Sequence, residues 1–65
     1  MKVELFQYVE SLGTIESTPK GVLFDGAKPD AMKNMFAHTA GGTPEEKLQW
    51  MLDHYTGILR AIDIT

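Results

Sequence analysis

The sequence predicts a small α+β domain built from a helix, a β-hairpin, a short helix and a long C-terminal helix. Three observations support this fold class. Apolar residues recur at helical spacing near the N-terminus, a Pro-Lys-Gly turn separates two short β-prone runs, and a capping box precedes the last apolar stretch. The chain has 65 residues, so residues 1–65 are expected to form a single domain.

The first predicted element is a helix at residues 2–12. A strand over the whole of this segment would have two faces that each mix polar and apolar side chains. A helix instead collects the apolar residues on one side, and Gly13 follows as a C-terminal cap. The residues expected on the buried side are Leu5, Tyr8, Val9 and Leu12.

The next predicted element is a β-hairpin over residues 14–26. Proline presets the backbone angle of a turn and glycine supplies a positive one, so Pro19-Lys20-Gly21 is expected to reverse the chain. The flanking runs contain Thr, Val and Phe, which favour strands. Ile15, Val22 and Phe24 are expected to face the core, and Leu23 is expected to face outward unless a partner or another strand covers it.

Two helices are predicted in the second half of the chain. Pro29 suits the first turn of a short helix whose body is residues 31–37. Residues 43–46 read Thr-Pro-Glu-Glu, which places an N-cap threonine, a proline at the first helical position and a glutamate that completes a capping box. The helix that begins there is expected to continue to residue 61 or 62.

This last helix is predicted to have two non-polar faces. One face carries a Trp, a His and two small residues, namely Trp50, His54, Gly57 and Ala61, spaced at i, i+4, i+7 and i+11. Either the helix is central and packs on both sides, or the second face binds a partner, because tryptophan is enriched at binding hot spots. A solitary exposed tryptophan without function is a third interpretation. The opposite face is the expected core stripe, with Leu48, Met51, Leu52, Tyr55, Ile58, Leu59 and Ile62.

Composition argues against several classes of function, nucleic-acid binding among them. The net charge is −3 and the six basic residues are dispersed, which disfavours nucleic-acid binding, since that needs clustered Lys and Arg. The absence of cysteine favours a cytoplasmic protein. The N-terminus lacks the features of a signal peptide, and no apolar run approaches the roughly 18 residues of a membrane span.

The sequence also lacks a recognisable catalytic or metal-binding motif. His38 and His54 have no ligand spacing between them, and no cysteine is present. The glycine loop before residue 43 opens onto a helix N-terminus, but Glu45 and Glu46 would repel a phosphate there. The sequence therefore predicts no enzyme, no cofactor, no metal and no small-molecule substrate.

The function expected from these observations is a non-enzymatic protein-interaction module. It would act as an inhibitor, adaptor or assembly factor, of a type common among small bacterial and phage proteins, and dock through the exposed face of the last helix. The predicted contact residues are Trp50, His54, Gly57 and Ala61, with Leu23 from the hairpin. The alternative is a self-assembling structural subunit or homodimer that uses the same face. No membrane partner is expected.

Overall fold

The computed structural model describes residues 1–65 and contains a four-stranded antiparallel sheet with two helices. The strand order is β3-β2-β1-β4, so β1 and β2 are central while β3 and β4 form the edges. The predicted order of elements is wrong, because three strands precede the helices and one follows them. In chain order the elements are β1 Lys2–Gln7, β2 Glu10–Thr18, β3 Gly21–Asp25, α1 Pro29–Ala37, α2 Pro44–His54 and β4 Leu59–Asp63.

The predicted N-terminal helix is a β-hairpin. Strands β1 and β2 are joined by Tyr8-Val9, and Tyr8 adopts a positive φ of 56°. This turn lacks the Gly, Asn or Asp that normally marks a two-residue hairpin loop. Alternation along β1 is regular, with Val3 and Leu5 buried. The alternation breaks at the turn, so residues 2–12 taken as a single strand have two faces that each mix polar and apolar side chains.

The predicted long C-terminal helix is wrong in its second half. Helix α2 ends at His54, and the chain turns through Gly57, whose φ is +83°. The hydroxyl of Thr56 donates to the carbonyl oxygens of Leu52 and Asp53, at 3.3 and 2.9 Å, and so satisfies carbonyls that a helix end leaves open. Strand β4 follows and pairs antiparallel with β1.

The second hairpin, α1 and the start of α2 lie where the sequence places them. The Pro19-Lys20 turn joins β2 to β3, and α1 begins at Pro29. The side chain of Thr43 accepts a hydrogen bond from the backbone N–H of Glu46 at 3.2 Å. The second half of the capping box differs, because the Glu46 carboxylate accepts from the Thr43 hydroxyl at 3.0 Å.

Both helices pack on one face of the sheet, and the core lies between. Helix α1 covers β2 and β3, whereas α2 contacts β4. The register sets Val3, Ile15 and Phe24 side by side across three strands, and all three point into the core. The buried hydrophobic residues of the core are Val3, Leu5, Leu12, Ile15, Met32, Phe36, Leu48, Met51 and Leu59.

The other face of the sheet carries no helix. It is mixed in character, with the Ser11 hydroxyl donating to the Glu4 carboxylate at 2.6 Å and the Arg60 guanidinium lying 5.1 Å from the centre of the Phe6 ring. Ile62 and Leu23 are the large apolar residues exposed there. Antiparallel sheets commonly have one face packed on the core and the other in contact with solvent, as this sheet does.

Candidate protein-interaction site

The free edge of β3 presents backbone groups that nothing else in the chain uses. The amide of Ser17 donates to the carbonyl of Met1, on the β1 side, at 2.8 Å. Backbone hydrogen bonds alternate in direction along an antiparallel strand. The two β2 residues next to Ser17 therefore direct their backbone groups toward β3, where they pair with Leu23 and Gly21. The N–H and C=O groups of Val22 and Phe24 consequently point outward, away from the sheet. No hydrogen bond outside the sheet involves these groups.

The side chains of this edge do not protect it. Natural edge strands are commonly guarded by a charge, a proline or a bulge, and β3 has none of these between Gly21 and Asp25. Leu23 is 57% exposed on the open face, while Val22 and Phe24 are half-buried on the helix face. The three central residues therefore offer an uncharged edge to which another strand can pair.

A groove of about 370 Å³ lies beside this edge, between β3 and the first turns of α1. Side chains of a strand added to β3 would alternate between the open face and this groove. The groove is lined by Val22, Leu23, Phe24, Pro29, Asp30 and Lys33. These residues and the rest of β3, Gly21–Asp25, are called the β3 edge below.

The β3 edge is held in place by contacts at both of its ends. At the turn, the Thr18 hydroxyl donates to the Gly21 carbonyl at 2.8 Å. At the other end, the Lys28 amide donates to the Leu12 carbonyl at 2.8 Å, which fixes the connection to α1. The Phe24 ring packs edge-on against Phe36, with centroids 5.5 Å apart. The strand is thus ordered without a partner, which lowers the entropy cost of binding one.

Charges around the β3 edge are balanced. Lys20 precedes the strand and Asp25 ends it, while Asp30 and Lys33 stand on the first turns of α1. All four residues are exposed. The rim therefore carries two positive and two negative charges, and it has no excess of one sign to attract a strongly acidic or strongly basic partner.

The four contact residues predicted on the last helix are divided among α2, the turn after it and β4. Trp50 is half-buried on α2 and packs against the core, and the exposed His54 ring stacks on it with centroids 3.7 Å apart. Gly57 lies in the turn after α2, and Ala61 lies on β4. The single helical face that joined these four residues does not exist, because α2 ends at His54. Their role in partner binding remains a prediction.

Leu23 is the one predicted contact residue that lies on the β3 edge, and it is exposed as expected from the hairpin. The sequence did not predict the roles of Val22, Phe24 or Lys33. The hairpin was visible in the sequence, but an outer position in the sheet depends on where β1 and β4 pair. Since β1 and β4 were both assigned to helices, nothing in the sequence indicated that β3 had a free side.

A second exposed apolar surface lies at the β1–β2 turn. Tyr8 is 63% and Val9 94% exposed, and the Tyr8 amide donates to the Ile58 carbonyl at 2.8 Å, which brings the turn beside the α2–β4 loop. Tyr55 and Ile58 are exposed in that loop. Exposed apolar clusters often mark contact surfaces, but this one lies on a turn and a loop and not along the outer side of a strand.

The titratable residues do not converge on a centre. No three His, Cys, Asp or Glu side chains come close enough together to hold a metal ion. Asp63 is the carboxyl whose pKa departs from its ordinary value. The pKa is lowered chiefly because the backbone N–H of Thr65 donates to the carboxylate at 2.9 Å, and the nearby Thr65 hydroxyl lowers it further. The Asp63 carboxyl is fully exposed on β4, so its shift reflects a local turn of the chain rather than a cleft.

Comparison with known proteins gives no match to this chain among family models, curated proteins or solved structures. Neither helix is long and apolar enough to cross a membrane.

Proposed function

We propose that this chain is a non-enzymatic protein-interaction module that takes up another polypeptide as an additional strand on the β3 edge. The observation that supports this proposal is the row of outward backbone groups at Val22 and Phe24, on a strand whose central residues carry no charge, beside a groove of about 370 Å³. Strand addition is an established mode of recognition in which backbone bonds give affinity and side-chain pockets give specificity.

The proposed contact has two parts. The added strand exchanges hydrogen bonds with Val22 and Phe24, and its alternate side chains enter the groove between β3 and Pro29 of α1. Side chains on the opposite side of the added strand meet Leu23, whose exposed surface they cover. Inhibitor, adaptor and assembly roles all fit this contact, and the cysteine-free composition supports a cytoplasmic setting within the same proposal.

The experiment that tests this function compares two chemically synthesised forms of the chain. One form is N-methylated at Val22, which blocks an outward N–H of β3 without changing a side chain. The control is N-methylated at Ala61, whose N–H points outward from β4. Extended peptides are selected from a display library on the unmodified protein, and their affinities for all three forms are then measured by fluorescence anisotropy.

The expected result is that selected peptides bind the unmodified and Ala61-methylated forms equally and the Val22-methylated form at least tenfold more weakly, about 1.4 kcal/mol. Amide exchange at Val22 and Phe24 should slow when a peptide is bound, because those amides become hydrogen-bonded. The proposal fails if the selected peptides bind all three forms equally, or if their chemical-shift changes map to Tyr8 and Tyr55 instead.

A further inference from the structure

We infer that the strand added to β3 is β3 of a second copy of this chain, related by a two-fold axis that passes beside Leu23. This inference rests on the proposed function, and it names the partner. The two four-stranded sheets would join into one continuous antiparallel sheet of eight strands, with all four helices on the same face.

The backbone of β3 is complementary to itself in one register. Outward groups belong to Val22 and Phe24, on either side of Leu23. When two β3 strands run antiparallel with Leu23 opposite Leu23, Val22 of each copy faces Phe24 of the other. Both pairs then exchange N–H to C=O bonds in both directions. Any shift from this register leaves part of the five-residue strand unpaired.

The side chains agree with the same register. The two Leu23 residues form a directly opposed pair between hydrogen-bonded pairs, where Cβ atoms lie about 4.5–5.5 Å apart. Leu23 is 57% exposed in the isolated chain. In the dimer, Leu23 of the second copy supplies an apolar surface of matching size. No charge is placed opposite another charge of the same sign at the centre of the contact.

The charges at the rim favour a second copy over a partner of one dominant charge. Under the two-fold axis the Asp25 end of one strand lies beside the Lys20 end of the other, and this happens twice. Asp30 and Lys33 line the groove of each copy, so the two α1 helices also bring opposite signs to the contact. When a surface carries equal numbers of positive and negative charges, two copies of it can pair their opposite charges across a two-fold axis.

The size of the contact predicts a weak dimer. Specific, stable interfaces bury roughly 1,200–2,000 Å², and a contact made by one five-residue strand with one flanking helix is small by comparison. The dimer is therefore expected to dissociate on dilution, and association must be followed over a wide concentration range up to the millimolar.

The test uses the direct opposition of the two Leu23 residues. Sedimentation velocity is measured for the wild type, for Leu23→Lys, for Leu23→Glu and for an equimolar mixture of these two variants. Ile62→Lys is the matched control, since Ile62 is an exposed apolar residue on the open face of the other edge strand, β4. Circular dichroism confirms that each variant is folded.

The wild type and Ile62→Lys should dimerise with increasing concentration. Each Leu23 variant alone should associate at least tenfold more weakly, because like charges then face each other. The mixture should regain association, because opposite charges directly across an antiparallel pair attract.

A wild type that stays monomeric to millimolar concentration would overturn the inference about the second copy. The proposed function would survive that result if Val22 methylation still abolished peptide binding. A dimer that persists in Leu23→Lys but dissociates in Ile62→Lys would also overturn it, because the two copies would then meet through β4. If Val22 methylation affects neither peptide binding nor dimerisation, both the inference and the proposed function are wrong.

Discussion

The two edge strands of the sheet have the same length but differ in the hydrogen bonds and charges along their outer sides. Both β3 and β4 contain five residues. On β4 the outward N–H of Leu59 is already bonded to the Tyr55 carbonyl at 3.0 Å, and Arg60 and Asp63 place charges within the strand. On β3 neither outward N–H has a partner, whereas on β4 the N–H of Ala61 is outward and unpaired but lies between charged residues. The charges of β3 lie only at or beyond the strand ends. The position of charged residues along an edge strand thus determines whether the strand resists or permits pairing with another chain.

The largest effect is expected where β3 is anchored to β2. Gly13 is buried with φ at +130°, and a Cβ there would lie 2.0 Å from the Asp25 carbonyl oxygen. Gly13→Ala should therefore destabilise the fold by about 3 kcal/mol or more, through backbone strain and steric overlap together. Urea denaturation monitored by Trp50 fluorescence would measure the loss.

Gly21→Ala is the matched control for this substitution. Gly21 has almost the same backbone angle, φ +132°, but a Cβ would meet nothing within 4 Å. Only the strain cost of about 1–2 kcal/mol is expected there. Equal losses for the two variants would show that close packing under β3 contributes nothing.

The next largest effect should separate the two sides of the sheet. Met32 on α1 and Met51 on α2 are both fully buried, and α1 covers β2 and β3 whereas α2 contacts β4. Each methionine-to-alanine substitution should cost about 2–5 kcal/mol by leaving a cavity. Native-state hydrogen exchange should show greater loss of protection in β3 for Met32→Ala and in β4 for Met51→Ala. Identical exchange patterns would mean that the two edges unfold only together.

A smaller and stabilising effect is expected at the β1–β2 turn. Tyr8 is a bulky residue with φ at 56°, in the left-handed region that costs about 1–2 kcal/mol for a side chain of this kind. Tyr8→Gly removes that cost but loosens the unfolded chain, so a net gain of about 0.5 kcal/mol is expected. Thermal denaturation would detect it. Val9→Gly, at the neighbouring position, should destabilise instead, because Val9 does not have a positive φ.

The smallest effect concerns the pH dependence of β4. The Asp63 pKa is lowered chiefly by the backbone N–H of Thr65, which donates to the carboxylate at 2.9 Å. A lowered pKa in the folded state adds stability above the ordinary pKa of aspartate, and this stability is lost as pH falls through the folded pKa. Thr65→Pro should raise the Asp63 pKa in an NMR titration. Thr65→Ala, which keeps the N–H, should raise it less. No difference between the two variants would assign the shift to the hydroxyl.

Local chemistry in the sequence was sufficient to predict a turn or a helix start where a residue has one dominant effect on the backbone. Pro19 with Gly21 specified the second hairpin, Pro29 the start of α1, and Thr43 the start of α2. These signals act within four residues of the position they mark, so they do not depend on the rest of the fold.

The errors arose where tertiary pairing decided the structure. The turn at Tyr8 carries no glycine, so its hairpin had no local signal, and apolar spacing across the turn imitated a helix. Beyond Tyr55 the apolar residues also fitted helical spacing, although Gly57 and the β-branched Ile58, Ile62 and Ile64 favour a turn and a strand. The candidate site could not be predicted without these strands, because β3 is an edge only by virtue of the strand order in the sheet.

The pairing of β1 with β4 sets when this protein can fold during its synthesis. Val3 is the partner of Asp63, and the amide of Ile64 donates to the carbonyl of Lys2 at 3.0 Å. The ribosome makes the central strand β1 before every other element of the sheet, and it makes β4, the second neighbour of β1, after all of them. Until β4 has emerged, the nascent chain has β1 as an unprotected edge. The growing polypeptide then exposes β1 and β3 together, which makes unfinished chains more prone to associate through strands than the finished protein.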